Sequence, residues 1–287
     1  MNHCLNFTNN LYLKPIIYPN DDKITYFISQ DEVNKVINTG QKPIFILENY
    51  EVSVDVPKIA VLLTRDKHPD RELVDYSMPI STIEAITLCG GRPYFVCFEM
   101  VKEQLENIKP DGILLPGGDF AFPSEWTIGE SAHPKEEIRT QAYIDCLNYA
   151  KEHKLPLLGI CAGMQMLAGF CEAKITQVSN HRGKIKDFAH TIKINNKSLL
   201  SSIIGKKECW VNTNHSEAVA INSLGGCKVS AMAPDGVVEA IEIENSWHKF
   251  VIGIQSHPEY FVKSKDEFAI RLFSAFMEAC KDESKSY

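Results

Sequence analysis

Cys161 stands between Gly159 and Gly163 in the run Leu155-Pro-Leu-Leu-Gly-Ile-Cys-Ala-Gly-Met-Gln-Met-Leu-Ala168. The apolar residues from Leu155 to Ile160 predict a buried strand, and the pattern from Met164 to Phe170 predicts a helix. A reactive residue at a strand-to-helix turn is the layout of a nucleophile elbow, where glycines let strand and helix pass at close range. The positive end of the helix dipole favours thiolate, the nucleophilic form of a cysteine. Taken alone, the run also fits a small core cysteine, because nine cysteines are scattered through the chain and a thiol packs as a small apolar group.

A thiol nucleophile needs a base, and the base needs an orienting partner. Val251-Ile-Gly-Ile254 leads into Gln255-Ser-His257-Pro-Glu259. His257 and Glu259 are two residues apart at a strand end, so both side chains can point one way. A carboxylate beside an imidazole fixes its tautomer and favours imidazolium, which favours thiolate. An exposed His-Pro-Glu turn is the other reading of the same residues. Acyl transfer also needs donors for an oxyanion. The backbone amides of Ala162, after the cysteine, and of Gly118, in Leu115-Pro-Gly-Gly118, are placed for that role.

These residues need a frame to hold them. From Lys58 onward strands and helices alternate: Ile59–Leu63, Ile80–Leu88, Tyr94–Phe98, Val101–Ile108, Gly112–Leu115, then a helix from Pro134 to about Glu152, then the elbow. Thr64 to Pro79 reads as a loop. Alternation of this kind predicts a parallel sheet with helices on both faces, an α/β fold whose site lies at the carboxyl ends of the strands. After residue 173 the pattern turns to strands: 189–194, 208–213, 227–233, 237–242 and 250–254. Asp235-Gly236 between two of them is a hairpin signal. An amphipathic helix carrying Phe268, Leu272, Phe273, Phe276 and Cys280 on one face ends the series. Residues 1–56 are an extension without a readable role, with β-prone runs at 12–18, 24–28 and 43–47 and a helical candidate at 31–37. Residues 57–287 form the second domain.

Composition narrows the function classes. The 287 residues are 44% hydrophobic and 23% charged, an ordinary globular mix, with a net charge of -7. No basic stripe exists to follow a phosphate backbone, so nucleic acid is not an expected partner. No apolar run is long enough to span a bilayer, and the first residues lack a secretory pattern. An odd cysteine count without Cys-x-x-Cys argues against a disulfide framework or zinc spacing and suits the cytoplasm. No ligand cluster is visible along the chain, so neither metal nor cofactor is expected, and activity should peak near neutrality without added metal.

Gly159-Ile-Cys-Ala-Gly-Met-Gln165, Leu115-Pro-Gly-Gly118 and Gly253-Ile-Gln-Ser-His-Pro-Glu259, in that arrangement, resemble a class I glutamine amidotransferase domain over roughly residues 58 to 280. Val211-Asn-Thr-Asn-His215-Ser-Glu-Ala-Val219, Ala233-Pro-Asp-Gly-Val-Val-Glu-Ala240 and His181-Arg182 with His190 are similar to its gamma-glutamyl hydrolase branch, which includes gamma-glutamyl-gamma-aminobutyrate hydrolases. The resemblance implies a flavodoxin-like fold and a catalytic set of Cys161, His257 and Glu259, with Gly118 and Ala162 as oxyanion donors. It implies that Gln165, His215 and Ser216 contact the substrate. The implied reaction is hydrolysis of a small gamma-glutamyl amide. Two other functions share the fold: a glutaminase subunit feeding ammonia to a separate synthase partner, and a binding module without turnover. A homodimer is left open. Ser256 stands where that branch often has Trp, and Glu217 where Gln is frequent, so the substrate stays open as well.

Overall fold

Each apolar run after Val56 splits its side chains between two cores. In β3 (Lys58–Leu62), Ala60 and Leu62 enter one buried cluster while Ile59 and Val61 enter the other. Leu157 and Leu158 divide in the same way. Period-two alternation with both faces apolar is what a sheet covered on both sides requires. The structure is a computed structural model, and it describes residues 13–17, 24–28, 56–67 and 74–282.

Two units are distinguished, Met1–Asp55 and Val56–Tyr287. In the first, β1 (Leu13–Ile17) and β2 (Ile24–Ile28) form an antiparallel hairpin. The run at 43–47 and the helical candidate at 31–37 lie outside the described residues.

In the second unit, β3 is followed by β4 (Thr64–Lys67) and β5 (Val74–Ser77), which pair as a small ladder. The loop expected over Thr64 to Pro79 therefore carries a hairpin. Next come α1 (Ile80–Leu88), β6 (Arg92–Val96), α2 (Val101–Ile108), β7 (Gly112–Leu115), β8 (Thr127–Ile128), α3 (Glu137–Glu152), β9 (Leu157–Ile160) and α4 (Ala162–Phe170). The helix expected from Pro134 starts three residues later. The Pro134 carbonyl accepts the Ala121 amide at 2.8 Å, so the chain is extended there and cannot yet turn. The later elements are β10 (Ile175–Gln177), β11 (His190–Ile194), α5 (Leu199–Ile204), β12 (Glu208–Val211), β13 (Glu217–Val219), β14 (Cys227–Met232), β15 (Val238–Ile243), β16 (Val251–Ile254) and α6 (Glu267–Asp282).

Among the described residues, nine strands make one sheet in the order β12-β11-β14-β15-β16-β9-β7-β3-β6. β6, β3, β7, β9 and β16 are mutually parallel, and read by their sequence among themselves they give 2-1-3-4-5, the flavodoxin-like order. β15, β14, β11 and β12 continue the sheet as antiparallel strands. The α/β fold expected from the alternation is the fold observed. Residues of α2, α3 and α4 fill the core on one face, and residues of α1, α5 and α6 fill the other.

α6 buries Phe268, Leu272, Phe273, Phe276 and Cys280, the face expected for it. Phe276 is fully enclosed and packs beside Gly112, where an added Cβ would lie 2.3 Å from Cys280 Sγ. Phe276→Ala is therefore expected to lower stability by about 3–5 kcal/mol, read as the shift of a denaturant midpoint. A shift below about 1 kcal/mol would mean that α6 does not pack as described.

Candidate active site

The turn after β9 is strained in the way a nucleophile elbow demands. Cys161 has φ +51° and ψ −108°, a conformation that residues with a Cβ rarely adopt and hold only under constraint from their surroundings. Its amide donates to the Ile254 carbonyl on β16 at 2.8 Å, and its carbonyl accepts the Gln165 amide at 3.1 Å, opening α4. Both flanking glycines are enforced by backbone. A Cβ on Gly159 would stand 2.7 Å from the Gly163 carbonyl oxygen, and one on Gly163 would stand 2.2 Å from the Leu115 carbonyl oxygen. Backbone on both sides leaves no flexible group to yield. Gly163→Ala should cost stability at or above the upper end of the about 1–3 kcal/mol range for overpacking, and an unchanged denaturant midpoint would show that β7 and α4 are not that close.

β16 delivers the imidazole to the same place. His257 follows its end, with its backbone clamped by Asn212: the His257 amide donates to Asn212 Oδ1 at 2.7 Å, and Asn212 Nδ2 donates to the His257 carbonyl at 3.0 Å. On the ring, Nδ1 is 2.8 Å from Glu259 Oε1. The other edge of the ring meets Gly117 and the thiol. A Cβ on Gly117 would lie 2.7 Å from His257 Cε1 and 3.3 Å from Cys161 Cβ. The Cys161 side chain therefore stands beside this edge of the His257 ring. Both His257 and Glu259 are buried. Burial opposes the imidazolium, but the Glu259 carboxylate and the Cys161 sulfur more than offset it, and the pKa of His257 is raised well above its ordinary value.

The loop after β7 carries Gly117 and Gly118, and α3 holds it from behind. Tyr143 Oη donates to the Pro116 carbonyl at 2.8 Å. Arg139 is buried over the Phe98 and Phe120 rings, and its Nη1 would lie 2.9 Å from a Cβ on Gly118. Ala162 is the first residue of α4, so its amide has no acceptor within the helix. Gln165, one turn further, is also buried. Its Nε2 donates to the Glu217 carbonyl and, at 3.0 Å, to Gln255 Oε1.

The other expected contacts lie beside this wall. Ser216 Oγ is 3.0 Å from His133 Nε2 and accepts from Arg182 Nη2 at 3.4 Å, and Arg182 also reaches Asp119 beside the glycine loop. The His215 ring is buried and turns inward, with Nδ1 3.0 Å from the Glu217 carbonyl. Glu217 Oε1 accepts from Ser131 Oγ and from the Ala132 amide, both at 2.9 Å. Asn212, Gln255, Arg139 and Tyr143 escaped the sequence reading. Asn212 and Gln255 sit inside recognised runs, but nothing in their spacing signals that they brace His257 and Gln165.

Residues 57–259 match the peptidase C26 family. The chain belongs to that family. Among its relatives, a glutamine amidotransferase-like protein of Rickettsia prowazekii is 30% identical over 270 residues, covering 72% of this chain and 90% of the relative. The gamma-glutamyl-gamma-aminobutyrate hydrolase of Escherichia coli K12 is 29% identical over 255 residues, covering 78% and 94%. A solved structure with the same fold is the glutaminase domain of Trypanosoma brucei CTP synthase with bound acivicin. It has a TM-score of 0.55 at 18% identity, covering 81% of this chain and 96% of that one. Among the described residues, no helix is long and apolar enough to cross a membrane.

Proposed function

We propose that the chain hydrolyses the gamma-glutamyl amide bond of a small gamma-glutamyl compound through a thioester on Cys161. The observation that carries this reading is the buried relay in which Glu259 holds His257 Nδ1 at 2.8 Å while the Cys161 side chain stands by the other edge of the same ring, against Gly117. With Nδ1 committed to the carboxylate, Nε2 is the nitrogen left to exchange a proton at the sulfur. The thiolate attacks the amide carbon, and the carbonyl electrons move to oxygen, where the Gly118 and Ala162 amides receive the charge. The imidazolium gives its proton to the leaving amine as the C–N bond breaks. His257 then takes a proton from water, hydroxide attacks the thioester, and the thiolate leaves as glutamate is released.

Gln165 and Ser216 line the proposed glutamyl subsite, and His215 contributes by fixing the Glu217 carbonyl beside Gln165. The named activity of the E. coli relative supports a hydrolase with a small substrate, and the family assignment agrees with it. The shared fold with a CTP synthase glutaminase domain favours one second reading, in which a separate synthase receives ammonia.

Glutamate release from a panel separates the two. The panel holds glutamine, gamma-glutamyl-gamma-aminobutyrate, gamma-glutamyl peptides and a poly-gamma-glutamate. Preferred turnover of one non-glutamine amide establishes the hydrolase and names its leaving group. Turnover of glutamine alone, or no turnover at all, overturns the hydrolase and directs the search to a synthase partner.

A further inference from the structure

Behind the Gln165 wall lies a second group of ionisable side chains that take no part in the proposed proton transfers. Glu239, on β15, is 1% exposed. Its Oε1 is 3.3 Å from His181 Nδ1, 3.6 Å from His215 Nε2 and 3.6 Å from His190 Nε2. None of these approaches has hydrogen-bond geometry. Both oxygens of Glu239, together with His215 Nε2 and His190 Nε2, are buried without a hydrogen-bond partner among the described residues. A buried carboxylate in that condition carries a large desolvation cost unless something else compensates it.

The outward nitrogens of the histidines decide what that something is. His215 Nδ1 lies 3.0 Å from the Glu217 carbonyl, and a carbonyl only accepts, so Nδ1 carries the hydrogen. His181 Nε2 lies 2.9 Å from the Asp235 carboxylate, which again requires the hydrogen on that nitrogen. Thr213 Oγ1 gives its hydrogen to the His181 carbonyl at 2.8 Å, so in its 3.3 Å contact with His181 Nδ1 it can only accept, and without a metal that nitrogen carries a hydrogen in a cation's place. His190 Nδ1 faces the Thr191 carbonyl at 3.1 Å. In the neutral rings of His215 and His190 the inward nitrogen is then a bare lone pair aimed at the lone pairs of Glu239, and His181 Nδ1 offers a third once it gives up its hydrogen. Lone pairs converge in this way on a cation.

We propose that His181, His215 and Glu239 bind a divalent transition-metal ion of the zinc class, with His190 beside the same carboxylate oxygen. In a tetrahedral zinc site with bonds of about 2.0–2.1 Å, neighbouring ligand atoms stand about 3.3–3.5 Å apart, and the separations from Glu239 fall close to that. Two imidazoles and a carboxylate suit zinc, cobalt or nickel better than magnesium or calcium, which prefer all-oxygen shells. Asp235 on His181 and the Glu217 carbonyl on His215 are the outer partners that metal-bound histidines characteristically have. The ion would tie together three separate stretches: the loop after β10, the turn between β12 and β13, and β15. It would thereby fix the Glu217 carbonyl that holds Gln165. No ligand belongs to the proposed catalytic relay, so the role is structural support of the subsite.

The test is metal binding, read without turnover and therefore separable from the proposed function. Chelator-treated protein is dialysed against Zn2+ and assayed by elemental analysis, then titrated with Co2+ and followed by absorption. The wild type and Cys161→Ala should each bind one Zn2+ per chain. Co2+ should give tetrahedral d–d bands without a sulfur charge-transfer band. Glu239→Gln should lose the site. Asp235→Asn alters a half-exposed outer partner and is not expected to unfold the protein, and it should weaken Zn2+ affinity by about 10–100-fold. The proposal is overturned if wild type binds no stoichiometric metal, in which case protons on the histidines compensate Glu239. It is also overturned if Cys161→Ala abolishes binding, which would place the ion on the catalytic thiol, or if Asp235→Asn binds as tightly as wild type.

Discussion

Cys161→Ala is expected to lower glutamate release by at least about 10⁴-fold while leaving the fold in place. The loss follows from chemistry: without sulfur no thioester forms, and the oxyanion donors and subsite contacts retain only what binding and a polar environment supply. The fold should persist because Ala keeps the Cβ that already occupies the strained conformation at φ +51°. A second substitution isolates that strain. Cys161→Gly removes the Cβ, so it should be equally inactive yet more stable than Cys161→Ala by about 1–3 kcal/mol if the backbone strain is released, less the entropy glycine loses on folding. Turnover assays and denaturant melts on the two variants read both effects. Near wild-type turnover in Cys161→Ala would sink the thioester mechanism. A glycine variant far less stable than alanine would show that the turn is not held in the strained region.

The alternation from Lys58 to Phe170 was legible because each element repeats a period long enough to see. The flavodoxin-like strand order follows from the resemblance and from parallel strands needing helical crossovers. What escaped was short or depended on distant partners. α5 has only six residues, Leu199–Ile204, too few for a 3.6-residue period to emerge, although its Ser198 cap accepts the Ser201 amide at 3.0 Å in the usual way. β10 and β13 have three residues each and exist because they pair in a small separate sheet with β8. The elbow could be read because glycine spacing is local. The inward turn of His215 could not, because Glu239 lies 24 positions further along β15 and no spacing rule connects them. The same separation hid the His181, His215 and Glu239 cluster: metal motifs are recognised by close ligand pairs, and this one draws a single residue from each of three segments.

Glu259→Gln should reduce turnover by about 10³–10⁴-fold although the shape of the side chain is kept. Glu259 Oε1 accepts from His257 Nδ1 at 2.8 Å, which leaves Nε2 to work at the sulfur. A glutamine amide in that place can donate its N–H to Nδ1. The ring then carries its hydrogen on Nε2, pointing at the thiol, and cannot accept the thiol proton. The loss should appear in kcat more than in KM, since Glu259 acts through His257 and not on the glutamyl group. A second signature is thermodynamic. Burial disfavours the imidazolium, but Glu259 and the Cys161 sulfur hold the folded-state pKa of His257 well above its unfolded value of about 6.5. A group raised on folding stabilises the protein fully below its unfolded pKa, and that contribution fades as pH rises through the folded one. The stability gap between wild type and Glu259→Gln should therefore be largest between about pH 5 and 6.5 and shrink on the alkaline side. Denaturant melts across that range measure it. A gap that widens with rising pH, or turnover within about tenfold of wild type, would remove Glu259 from the relay and leave His257 oriented by its Asn212 clamp alone.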